Sequence, residues 1–239
     1  MDTLAFVLQS IDYKDNHKIL YTYSKDGQQS ILAYNVKKLK NRSRYLSQRG
    51  NLIQYVTPKK ELSSLKDGQL INEYENIKLD PIKYATQLHI LELVRHVIDD
   101  ASDHEKMFNF LSKIFDLMNQ GFDEETLSFI FELKLLYFVG YGLNFKACNI
   151  CFKTDDLVFH VSSGGLICKE HIKDLSRTYQ GDVIEDLKQL YLLDVLKDSL
   201  PSIESHKKHL IRQIIDELYE EFISYHTKSS QILKQLKKN

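Results

Sequence analysis

All three cysteines of the 239-residue chain lie in one short stretch, CNICFKTDDLVFHVSSGGLICKEH, which runs from Cys148 to His171. Cys148 and Cys151 are two residues apart, Cys168 and His171 likewise, with a sixteen-residue insert between the pairs. A two-residue gap lets two soft donors turn inward from one tight knuckle onto a single ion, and two knuckles supply the four ligands of tetrahedral Zn2+. Catalytic zinc usually keeps a coordination position for water, so four protein ligands predict one closed, structural ion. The rival chemistry is a thioredoxin-like redox pair at Cys-x2-Cys. It needs a strand and helix around the motif and leaves Cys168 and His171 unused. His160, inside the insert, competes with His171 by residue type only, because a mid-strand histidine more often faces solvent.

A second concentration of chemistry is cationic. Residues 27 to 60 contain Lys37, Lys38, Lys40, Arg42, Arg44, Arg49, Lys59 and Lys60 and no Asp or Glu, although the whole chain has a formal net charge of −1. The rest of the molecule is therefore acidic, and one segment carries an uncompensated positive charge suited to polyanions. Tyr21, Tyr23, Tyr34, Tyr45 and Tyr55 lie around it. They offer stacking platforms for bases, or serve as core and cross-strand packing.

The elements that must position these residues follow from periodicity. Leu4 to Ile11, Lys18 to Tyr23, Gln28 to Tyr34, Asn51 to Val56 and a stretch within Leu62 to Tyr74 read as five strands, with Lys25-Asp26-Gly27 as a hairpin turn. Five strands in so short a segment suit a partly open OB-fold-like barrel, with the basic run in the connection after the third strand. From Asp80-Pro81, an N-cap followed by proline at the first helical position, the period becomes helical. Further helices start near Ser102-Asp103, after Asp123, after Gly181 and beyond Pro201. Between the knuckles, Leu157 to Val161 and Leu166-Ile167 pair around Ser162-Ser163-Gly164-Gly165. The expected architecture is α+β: an OB-fold-like five-stranded barrel over residues 1–79, then a helical domain over 80–239 with a zinc-knuckle hairpin inserted at 146–173.

Composition bounds the remaining choices. With 43% hydrophobic and 27% charged residues the chain can bury a core. No apolar run is long enough to span a membrane. The N-terminus lacks a basic leader and an apolar signal core, so a cytoplasmic protein with reduced thiols is expected. P-loop, HExxH, GxSxG and Rossmann signatures are missing, and an enzyme is unsupported. Two other classes stay open: a zinc-stabilised protein-interaction scaffold without direct DNA binding, and a nuclease with a second, open metal site.

The arrangement resembles the bacterial RecO family of recombination and repair mediators over essentially the whole chain. The matching residues are Asp12-Tyr13 with Asp15-Asn16, Gly27, the run from Lys37-Lys38 to Arg44, Glu132-Leu133-Lys134-Leu135-Leu136 leading to Gly140-Tyr141, Cys148 with Cys151, Gly164-Gly165-Leu166-Ile167-Cys168, and Lys228-Ser229. Two positions depart from the pattern. Asn35-Val36 stand where the family often has a glycine before its basic pair, and His171 stands where the fourth metal residue is usually cysteine. The resemblance implies a non-enzymatic, nucleoid-associated mediator that binds single- and double-stranded DNA and anneals complementary strands. It further implies contact with the tail of single-stranded DNA-binding protein and, with RecR, loading of RecA on coated single strands. Lys37, Lys38, Lys40, Arg42, Arg44 and Arg49 are the expected phosphate contacts. Arg95, Lys134 and Lys228 are weaker candidates for the tail groove.

Overall fold

The computed structural model describes residues 2–38, 42–56, 63–100 and 102–237. Six strands come first: β1 (Asp2–Tyr13), β2 (His17–Ser24), β3 (Gly27–Ala33), β4 (Leu52–Val56), β5 (Ser63–Ser64) and β6 (Lys66–Asn72). They form one sheet in the order β5-β3-β2-β1-β4-β6. β5 and β6 are two halves of a single expected strand, broken at Leu65. One half pairs parallel with β3, through Ile31↔Ser63 and Leu32↔Ser64, and the other pairs antiparallel with β4. That double engagement closes the sheet into the OB-fold-like five-stranded barrel, so the two edges protect each other.

β1 explains its own sequence. Ala5 and Val7 point into the barrel with Leu20, Ile31, Ala33, Ile53 and Tyr55. Alternate residues would normally face water, yet Phe6 and Leu8 are buried too. Phe6 meets Phe108 at 5.3 Å and Phe115 at 5.4 Å between ring centroids. The unbroken apolar run Ala5-Phe6-Val7-Leu8 is therefore a strand covered on both faces.

The helices that cover it are α1 (Glu75–Lys78), α2 (Pro81–Val97) and α3 (His104–Asn119). Asp80 caps α2 by accepting from the amides of Ile82 and Lys83, with Pro81 at the first helical position. Asp103, rather than Ser102, caps α3 by accepting from the Lys106 amide at 3.0 Å, while Ser102 Oγ donates to Asp99. These helices, the barrel and the C-terminal helix (Lys228–Leu236) make one compact unit, residues 1–122 with 227–239. The packing unit thus runs past the change from strands to helices, which falls between β6 and α1.

The second unit, residues 123–226, contains α4 (Glu124–Phe138), β7 (Leu157–His160), β8 (Gly165–Cys168), β9 (Thr178–Tyr179), α5 (Asp182–Leu192) and α6 (Ser205–Phe222); α7 (Lys228–Leu236) returns to the first. α4 is buried nearly all round, and its one fully buried charge, Glu132, is 1% exposed. Arg212 of α6 grips that carboxylate through two bonds of 2.7 Å. Ser128 Oγ donates to it at 2.8 Å, and the Tyr219 hydroxyl donates to the Glu132 carbonyl at 3.0 Å. Such complete pairing makes a buried charge tolerable and fixes the register of α6 on α4. No helix among the described residues is long and apolar enough to cross a membrane.

Candidate metal centre and nucleic-acid interface

The hairpin between the knuckles forms as expected: β7 and β8 pair from Leu157↔Cys168 to His160↔Gly165, and β9 adds a short third strand. Its turn depends on two glycines. Gly164 has φ +59, and a Cβ on Gly165 would lie 2.5 Å from the Asn144 carbonyl oxygen. That close approach lets the Leu166 amide donate to the Asn144 carbonyl, while the Asn149 amide donates to the Leu166 carbonyl. The first knuckle is so stitched to the strand that carries the second.

The four expected ligands converge. Their donor atoms all lie within 4.8 Å of one another, with Cys148 and Cys168 buried. Cys151 Sγ is 3.7 Å from Cys168 Sγ, and His171 Nδ1 is 3.8 Å from Cys148 Sγ and 3.1 Å from Cys168 Sγ. A tetrahedron with zinc–sulfur bonds of about 2.3 Å has edges of about 3.8 Å, so the cluster has the dimensions a metal ion requires. Burial would raise the Cys148 thiol, but the amides of Cys151, Cys168 and Ile150 directed at its sulfur outweigh this and bring its pKa down to about 6. A thiolate is thus favoured before any ion arrives. His160 is elsewhere: its Nδ1 bonds Ser163 Oγ at 2.8 Å. The hairpin is tied to α6 by Arg177 on Glu220 and Glu221, and by the Tyr179 hydroxyl on Glu217 at 2.7 Å.

The cationic residues do not all behave alike. Lys37 and Lys38 are exposed on the connection after β3, and Arg44 is exposed in a short 3-10 turn, Arg42–Ser47. Lys37 pairs with Asp12 at 3.0 Å, which holds the Asp12 carboxyl below its ordinary value. Arg49 is half-buried. Its Nε donates to the Leu8 carbonyl at 3.1 Å and its guanidinium meets Glu92 at 3.4 Å, so it also ties β1 to α2. Lys40 and the side chain of Arg42 lie outside the described residues, as do Lys59 and Lys60.

Lys37, Arg44 and Arg49 open onto one cleft of about 730 Å³, whose wall also includes Ser10, Asp12, Lys18, Ser47, Gln48, Lys78 and Tyr84. Among the described residues, five cations thus share a concavity with one carboxylate. Lys18 and Lys78 belong to other parts of the chain and carried no signal in the sequence, since each sits among acids and neutral residues. Of the five tyrosines, Tyr23 and Tyr55 are core residues, at 0% and 1% exposure. Tyr21 lies beneath the Arg95 guanidinium, 3.9 Å from its ring centroid, whereas Tyr34 and Tyr45 are exposed.

The N-terminal part, residues 1–74, matches the family model described as Recombination protein O N terminal, and residues 78–231 match Recombination protein O C terminal. The chain belongs to the RecO family. Among curated relatives, proteins named DNA repair protein RecO from Bacillus cytotoxicus and Bacillus cereus are 29% identical to it, and one from Bacillus mycoides is 28% identical; each alignment covers 98% of this chain and 96% of the relative. Membership assigns a role in DNA repair and recombination, as a mediator rather than an enzyme. The boundary between the two family models, at 74 to 78, coincides with the passage from barrel to helices.

Proposed function

We propose that the protein binds single- and double-stranded DNA along the cationic barrel surface, anneals complementary strands and, with RecR, promotes RecA loading on strands coated by single-stranded DNA-binding protein. The observation that carries this reading is the cleft: five cations from separate segments converge there, and among the described residues only Lys37 and Arg49 have a carboxylate in ion-pair reach. Phosphates entering it would displace counterions, which is the main source of affinity for nucleic acid. Exposed Tyr34 and Tyr45 offer ring faces on which unpaired bases would stack. If Lys37, Lys38, Lys40, Arg42, Arg44 and Arg49 all engage one strand, log affinity against log salt should slope at about −4, from roughly 0.7 per phosphate. A salt-independent affinity would overturn the reading. A strand-annealing assay on the charge-reversed protein separates it from an interaction scaffold without DNA binding, which predicts no change.

The metal cluster holds one structural Zn2+ in this reading. Cys148, Cys151, Cys168 and His171 would fill its coordination, and the ion would supply a cross-link between the two knuckles. The tail of single-stranded DNA-binding protein has a candidate seat in the same unit. A groove of about 600 Å³ is lined by Val158, Ile172 and Leu175 together with Lys173 and with Lys169, which also pairs with Asp156 at 3.5 Å. Apolar walls with two cations suit an acidic segment with an apolar end. Arg95, Lys134 and Lys228 are not part of that groove. Changing Lys169 and Lys173 to Glu should abolish capture of a tail peptide while leaving oligonucleotide binding intact.

A further inference from the structure

The cleft cations differ in how far they are already neutralised. Lys37 has Asp12 and Arg49 has Glu92. Lys78 is half-buried, and its ammonium is held only by neutral amide oxygens, those of Asn51 and of Gln48. Among the described residues no carboxylate is in ion-pair reach of it. Burial lowers its pKa from the ordinary lysine value, and the Glu73 carboxylate, outside ion-pair reach, offsets this only in part. Lys18, also half-buried, lines the same cleft with its charge felt at Asp12, and Ser10, another lining residue, has a hydroxyl with no hydrogen-bond partner among the described residues. A cation that has lost water without gaining an ion-pair partner is the one that benefits most from a phosphate.

Shape decides which nucleic acid can supply that phosphate. The cleft has the size of a small-ligand pocket, within the usual ~300–1,000 Å³. A duplex is a stiff, convex rod with a persistence length of about 50 nm, whereas a single strand bends into such a concavity. We infer that Lys78 and Lys18 form a single-strand subsite at the floor of the cleft: the backbone of an unpaired strand descends to them, while duplex remains on the rim at Lys37 and Arg44. This deepens, and rests on, the DNA-binding reading above. It gives the short helix α1, between barrel and helices, a direct part in choosing strandedness.

The test compares a single-stranded oligonucleotide with a blunt duplex of equal length, at matched low salt, on the full chain. Lys78→Gln and Lys18→Gln should each lower single-strand affinity about five- to tenfold and flatten its salt slope by about 0.7, with duplex affinity changed less than about twofold. Arg44→Gln should weaken both ligands, and Lys78→Arg should keep single-strand binding. Equal losses on the two ligands, or no loss on either, would overturn the subsite while leaving the DNA-binding reading standing. A wild-type protein that binds neither oligonucleotide overturns both. Should Lys78→Gln lower the melting temperature, Lys18→Gln carries the comparison by itself.

Discussion

The knuckle cluster and the basic cleft are opposite ways of making a site. The cluster draws its four donors from two short gaps in one hairpin, turns them inward and leaves no room for anything beyond an ion. The cleft draws its cations from β2, the connection after β3, the 3-10 turn, the segment between that turn and β4, and α1, with Lys37 and Arg44 exposed and the other three half-buried. One is written locally; the other exists only after the barrel has closed and α1 has docked. A closed site spends its binding energy on order within the chain, whereas an open one keeps it for a ligand.

Four changes would break or sharpen that contrast. The largest effect belongs to Cys148→Ser combined with Cys151→Ser, which should release one zinc and remove up to about 10 kcal/mol of metal-linked stability from the unit 123–226. Metal analysis with thermal unfolding reads this, and retention of the zinc would refute the ligand assignment. Arg212→Ala should come next. It strands the buried Glu132 carboxylate and costs about 3–5 kcal/mol by denaturant unfolding; a loss under about 1 kcal/mol would mean that metal alone organises α4 and α6. Replacing Lys37, Lys38 and Arg44 together by Glu should lower oligonucleotide affinity on the order of a hundredfold at moderate salt. The unfolding midpoint should stay put, and a parallel fall in stability would show the cleft to be structural. The smallest effect, and the only gain, is expected for Asp12→Asn. Freeing Lys37 from an exposed pair worth about 0.2–1 kcal/mol should raise affinity up to about fivefold at low salt.

What could be foreseen follows the same division. Cys148, Cys151, Cys168 and His171 were legible because their geometry depends on neighbours in sequence, and so were the caps at Asp80 and Asp123. Strand periodicity gave the barrel, although the last strand breaks at Leu65 to satisfy two neighbours at once. Lys18 and Lys78 could not be foreseen, because nothing near them in sequence records the chain crossing that brings them beside Arg44. Tyr23 and Tyr55 look like their exposed counterparts until the barrel decides which side is inside; Tyr55 then bonds Thr22 at 3.0 Å. The Arg49–Glu92 and Arg212–Glu132 pairs were equally hidden, each joining residues far apart along the chain.

The two-sided burial of β1 bears on how the protein can be taken apart. A fragment ending at Leu79 would retain every strand of the barrel but shed the helices over Phe6, Leu8 and Tyr74, all at most 1% exposed in the intact chain. Such a truncation would wear its aromatic ballast on the outside and self-associate in solution, so the smallest piece worth expressing for the barrel extends through α3 and needs the C-terminal helix supplied in trans.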